Sequence, residues 1–191
     1  MMKQIAIFTS GSSRGSNFLA IYDYIHTHNL PIRIDYLFVT DETAPIVERA
    51  KERNISVVLY DGGDKLNDFL VKVCADRPVD LIVLAGFMRK LSKDFFQSIK
   101  TPIINIHPAL LPKYGGKGMF GMNVHKAVFE AKEKLSGATV HYVNENYDEG
   151  DIIAQKECDI SMCQSPEEVA QCVLKIEHEL YPEVVGKLLD C

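Results

Sequence analysis

Asn105 and His107 stand two residues apart in the run Asn105-Ile106-His107-Pro108-Ala109-Leu110-Leu111-Pro112-Lys113-Tyr114. On a strand that spacing puts both side chains on one face. An amide donor beside an imidazole suits the stabilisation of an oxyanion and the movement of a proton. The plainer reading is that Asn105 ends the strand while His107 bonds a nearby carbonyl. A second candidate is the loop Gly11-Ser12-Ser13-Arg14-Gly15-Ser16-Asn17. Glycines let backbone approach a ligand, and a helix starting there would offer free N–H groups to a phosphate. Neither a Walker loop nor a complete G-x-G-x-x-G is present, so dinucleotide binding is disfavoured. The loop reads as a phosphate cradle or as a Gly/Ser turn with Ser or Asn capping the helix. The third candidate is acidic: Glu145, Asp148, Glu149 and Asp151 crowd one short stretch. It is a solvated hairpin tip, or one carboxylate folds over His107, orients it and raises its pKa. Its spacing fails the EF-hand pattern.

The elements that must carry these groups follow from hydrophobic periodicity. Strands are predicted over Ile5–Thr9, Ile32–Val39, Ile55–Leu59, Val79–Phe87 and Pro102–Ile106. Helical spacing links Phe18 to Ile25 and Leu66 to Cys74, and Pro45 sits where a helix would begin. Leu110–Gly121 reads as a loop, followed by a helix over Val124–Lys132. Ala138–Val143 and Ile152–Lys156 read as a hairpin pair. Ser165-Pro166-Glu167-Glu168 opens a last helix with a cap residue, an early Pro and acids in its first turn. Strand–helix alternation implies parallel strands with right-handed crossovers. The expected fold is a single-domain, doubly wound α/β sheet, mostly parallel, with helices on both faces and an antiparallel pair late in the chain. Ligands in such sheets bind beyond the carboxyl ends of the strands, where the candidates lie.

Composition narrows the function classes. The 191 residues are 47% hydrophobic and 25% charged, which excludes wholesale disorder. The apolar run Leu81–Met88 is far short of the roughly 20 residues of a membrane helix. Met1 leads directly into a strand-like run, so a cytoplasmic protein with no membrane partner is expected. A net charge of −5 disfavours nucleic acid as a partner. The five cysteines (Cys74, Cys158, Cys163, Cys172, Cys191) lack C-x-x-C spacing and read as free thiols, with no metal expected. Neither H-E-x-x-H nor Gly-x-Ser-x-Gly occurs. His26 and His28 read as surface residues.

The motifs, taken in order, carry a resemblance. Ser10-Gly11 with Gly15-Ser16-Asn17, Ala85-Gly86-Phe87-Met88-Arg89, the Asn105–Tyr114 run, Gly137–Val143 with Asp148-Glu149-Gly150, and Glu177-His178-Glu179-Leu180-Tyr181-Pro182 span nearly the whole chain. This pattern resembles the phosphoribosylglycinamide formyltransferases, folate-dependent enzymes of purine synthesis. The resemblance implies glycinamide ribonucleotide (GAR) and the co-substrate 10-formyltetrahydrofolate as ligands, with direct formyl transfer and no covalent enzyme intermediate. It implies Asn105, His107 and Asp148 as the catalytic trio, with His107 protonated. Gly15, Ser16, Asn17 and Glu177 would hold GAR, the first three at its phosphate and Glu177 at its ribose. Met88, Arg89 and Leu91 would line the folate pocket. His141 would support the site, or be a packed strand histidine. It further implies one formyltransferase domain over 1–191, with phosphate binding in about 1–100 and catalysis and folate binding in about 101–191. A monomer or weak homodimer is expected.

Three places depart from the family pattern. Ser12-Ser13-Arg14 lengthens the first loop, leaving Arg14 as an added phosphate contact or a solvated tip. Tyr114–Gly121 replaces a Pro-Gly segment. Lys90 stands where an apolar residue is common, facing solvent or the folate glutamate tail. Arg14, Arg89 and Lys113 are the cations expected to meet the anionic ligands. The rival readings are a formyltetrahydrofolate hydrolase-like enzyme, which would use the same trio on water, and a nonenzymatic nucleotide-binding module. Methionyl-tRNA and sugar-nucleotide formyltransferases would want further domains.

Overall fold

The computed structural model describes residues 1–189. Cys191, read above as a free thiol, lies outside them. Seven strands alternate with six helices: β1 (Lys3–Phe8), α1 (Ser16–Thr27), β2 (Ile32–Val39), α2 (Pro45–Lys51), β3 (Ser56–Leu59), α3 (Leu66–Asp76), β4 (Leu81–Leu84), α4 (Lys93–Ser98), β5 (Ile103–His107), α5 (Met122–Glu130), β6 (Leu135–Tyr142), β7 (Ile152–Asp159) and α6 (Pro166–Leu188). They form one sheet in the order β3-β2-β1-β4-β5-β6-β7. The first five strands of that order run parallel. β6 and β7 pair antiparallel, as expected for a late pair, and β6 also runs antiparallel to β5.

Two apolar clusters occupy the two faces of the sheet. Ile5 and Ile7 of β1 pack with Phe18, Ile46, Val124, Val173 and Tyr181, so α1, α2, α5 and α6 cover one face. Ala6 and Phe8 point the other way, into a cluster with Leu70, Cys74 and Phe95 from α3 and α4. Chain order reverses between β1 and β4: α1 and α2 step outward from β1 toward β3, and the chain then returns to β4. That reversal opens a crevice at the carboxyl ends of the two strands. The loops there are tied together, Ser10 N–H donating to Gly86 O at 3.2 Å and Met88 N–H to Ser10 Oγ at 2.7 Å.

β2 matches its expected span. β4 is a correction, because only Leu81–Leu84 pairs where Val79–Phe87 was predicted. All four residues are buried, but the chain turns at Gly86, whose φ is +74°. α4 was not foreseen; Ser92 caps it, accepting from Phe95 N–H at 3.2 Å. α6 begins as expected, with Ser165 accepting from Glu168 N–H and Pro166 in the first turn. Cys74, Cys158, Cys163 and Cys172 are free thiols. Among the described residues, no helix is long and apolar enough to cross a membrane.

Candidate active site

β5 and β6 build the centre. Asn105 and His107 lie on β5 in register with His141 and Thr139 of β6. Thr139 Oγ1 donates to Ala109 O at 2.6 Å and accepts from Leu111 N–H at 3.0 Å. The chain leaving His107 is thereby folded back over β6. His107 is 3% exposed. Its Nε2 lies 2.7 Å from the carbonyl of Tyr114, so Nε2 carries a proton and donates. The other nitrogen, Nδ1, lies 3.5 Å from Asp148 Oδ2. A carboxylate from the acidic loop does fold over His107, and it is Asp148. The expected rise in pKa is nevertheless a correction. Burial disfavours the charged imidazole more than Asp148 and the Tyr114 carbonyl favour it, and the net direction is downward.

Asp148 is held in turn by backbone. Its Oδ2 accepts from Gly116 N–H at 2.9 Å, and its Oδ1 lies 3.6 Å from His141 Nε2. A Cβ on Gly115 would come within 2.5 Å of Leu111 Cδ2 and 3.3 Å of Asp148 Cβ. The Gly-Gly pair in the departing Tyr114–Gly121 segment therefore lets that loop lie close under the carboxylate. Asn105 Nδ2 donates to His141 Nε2 at 3.2 Å, and His141 Nδ1–H donates to the Tyr142 carbonyl at 2.8 Å. His141 thus fixes the Asn105 amide and leaves its second N–H free.

The second part of the site comes from α1 and α6. Gly15 is the N-cap of α1 in the left-handed region (φ +75°), and no side chain caps the helix. The Ser/Asn-cap reading of the loop therefore fails, and first-turn amides stay open toward an anion. A side chain at Gly15 would meet Ile46 Cγ1 at 2.5 Å. Asn17 Nδ2 donates to Glu177 Oε2 at 3.3 Å, joining residues far apart in sequence. Asn17 Oδ1 is buried without a partner. Burial pushes the Glu177 carboxyl up to about 7, with Asn17 pulling the other way. Tyr181, one turn further along α6, donates to the carbonyls of Leu84 and Ile104 at 2.7 and 3.2 Å and pins Glu177 toward the sheet.

A cavity of about 480 Å³ joins these groups. Asn105, His107, His141, Asp148, Asn17, Glu177, Met88, Arg89 and Leu91 all line it. Gly15, Ser16 and Arg14 do not. Arg14 is an exposed loop tip, and Lys113 is also outside the cavity, paired with Glu133 at 3.0 Å. Lys90 is exposed and also lines the cavity, its Nζ 5.6 Å from the centre of the Tyr147 ring. Sequence reasoning missed the Tyr114 carbonyl and the Gly116 amide, whose only signal was the Gly-Gly after Tyr114. His125, for which the sequence suggests no role, also lines the cavity.

The family described as Formyl transferase matches residues 3–185. A chloroplastic phosphoribosylglycinamide formyltransferase of Arabidopsis thaliana is 38% identical over 98% of this chain, which spans 66% of that relative's length. The phosphoribosylglycinamide formyltransferase of Bacillus subtilis (strain 168) is 35% identical over 98% of this chain and 95% of its own. The crystal structure of glycinamide ribonucleotide transformylase 1 from Geobacillus kaustophilus superposes with a TM-score of 0.86 at 33% identity, over 99% of this chain and 100% of that one. With its sheet, its cavity and this likeness together, the chain belongs to the formyl transferase family, alongside relatives that are phosphoribosylglycinamide formyltransferases.

Proposed function

We propose that this chain transfers the formyl group of 10-formyltetrahydrofolate to the amine of glycinamide ribonucleotide, in purine synthesis, and that residues 1–191 act as one formyltransferase domain. The observation that carries the reading is the meeting of Asn105, His107 and Asp148 in one cavity with the Asn17–Glu177 pair. Ligand cavities commonly hold a few aimed polar groups among apolar walls. Here Phe87, Met88, Leu91 and Val143 give a flat donor ring an apolar lining, and Arg89 offers charge to its acidic tail. Asn17, Glu177 and the open amides of α1 would take the ribose and phosphate of the acceptor.

The chemistry follows from the hydrogen bonds. The acceptor amine attacks the formyl carbon, and negative charge builds on the formyl oxygen. The free N–H of Asn105 donates to that oxygen. His107 Nε2–H is committed to Tyr114, so Nδ1 is the nitrogen that faces the reaction. Burial keeps the resting ring neutral; the proton lost by the attacking amine is held transiently on Nδ1, where the growing oxyanion and Asp148 stabilise the charged ring. Asp148, through a water, passes the amine proton to the leaving nitrogen of the folate. One C–N bond forms, one breaks, and the proton moves between the two nitrogens.

The test is an acceptor competition, with GAR, water and methionyl-tRNA offered together to the enzyme and 10-formyltetrahydrofolate. Formyl-GAR as the product supports the proposal. Formate as the main product, with GAR present, would favour the hydrolase reading instead.

A further inference from the structure

His125 has no part in the chemistry described so far. It lies in the first turn of α5, is 7% exposed, and forms part of the cavity wall. Its Nδ1 is enclosed with no hydrogen-bond partner, and among the described residues no side chain or backbone group hydrogen-bonds its Nε2. With Nδ1 sealed, the ring's hydrogen bonding falls to Nε2, and because largely buried polar groups are nearly always paired, an imidazole without a protein partner on a cavity wall marks a place where a ligand completes the bonding.

The packing shows which ligand. Val124 and Val128, on either side of His125, belong to the cluster that holds Val173, Leu180 and Tyr181 of α6. Leu91 and Phe87 belong to the cluster on the opposite face of the sheet. His125 is therefore on the side of Glu177 and Asn17, not on the side assigned to the folate. Burial and the nearby His107 ring both disfavour a charged His125. A neutral ring has one N–H. At Nδ1 that proton would be sealed from every acceptor; at Nε2 it can reach the cavity.

We propose that His125 Nε2–H is a specificity-determining hydrogen-bond donor to an oxygen of the ribonucleotide acceptor. This rests on the formyltransferase reading above. It is tested by steady-state kinetics of His125→Leu, which removes the donor, and His125→Gln, which keeps one. The KM for GAR should rise about tenfold in His125→Leu, the loss of one good hydrogen bond. The KM for 10-formyltetrahydrofolate should stay within about twofold, and His125→Gln should recover most of the loss. If Leu prevents folding, His125→Ala takes its place. An unchanged KM for GAR, a parallel rise for both substrates, or equal damage in the Gln variant would overturn the assignment. A wild-type enzyme that fails to formylate GAR would instead overturn the reading beneath it.

Discussion

His107 is pulled two ways, by burial toward the neutral ring and by Asp148 toward the charged one, and burial wins. That balance suits the uptake and return of a proton proposed for His107. His107→Ala should lower kcat by about 10²-fold or more while the protein stays folded, as checked by steady-state assay beside thermal melting. Asp148→Asn, which keeps shape and removes charge, should fall by a similar order. Glu177 gives a stability prediction with a definite sign. Its folded carboxyl titrates near 7, above the ordinary 4.5, so the folded state holds its proton through that window while the unfolded chain gives it up. Stability contributed by this group is present below about 4.5 and is lost as pH rises through 7. Glu177→Gln should therefore melt higher than wild type at pH 8, with the advantage gone by pH 4.5, and should bind GAR more weakly. At this scale the sequence was readable where residue type carries the role: Asn105 and His107 share a face because they are two apart on β5. Tyr114 and Gly116 act through backbone atoms, which every residue has, so residue type could not reveal them.

At the scale of elements, the site depends on two anchors. The Gly115–Gly116 loop lies close beneath Asp148, and Gly115→Ala would press on Leu111 and on Asp148 itself. It should lower kcat about tenfold with little change in melting temperature, since the damage is a displaced carboxylate and not a lost core. The second anchor is Tyr181, whose hydroxyl ties α6 to Leu84 at the carboxyl end of β4 and to Ile104 near the start of β5. Tyr181→Phe should cost about 1–2 kcal/mol in chemical denaturation and loosen GAR binding through Glu177. Strands with clear apolar patterning were legible, β2 to the residue. β4 was overread because Val79 and Ala85–Phe87 are as apolar as a strand, and only the turn at Gly86 ends the pairing. α4 was missed because six residues carry too little periodicity to stand out, although Ser92 three residues before Phe95 is a cap signal.

At the scale of the whole molecule, topology decides where chemistry is possible. The reversal of chain order between β1 and β4 opens the crevice, and the antiparallel return of β6 sets His141 beside Asn105. That α/β architecture was predictable from strand–helix alternation. The pairing of Asn17 with Glu177 is not legible in either local sequence; only the family resemblance places the two at one ligand. For a chain of net charge −5, the two anionic substrates proposed above call for local cations, and Arg89 is the cation of the expected three that lines the cavity. Direct transfer from donor to acceptor amine separates the proposed reaction from hydrolysis and from a route through a formyl-enzyme. A single-turnover experiment with formyl-labelled 10-formyltetrahydrofolate and GAR, quenched over time, tests it most directly. Under direct transfer, label leaves the donor and enters formyl-GAR in step, with none on the protein and none as formate, and His107→Ala slows both together. Label trapped on the protein, or released as formate ahead of formyl-GAR, would contradict it.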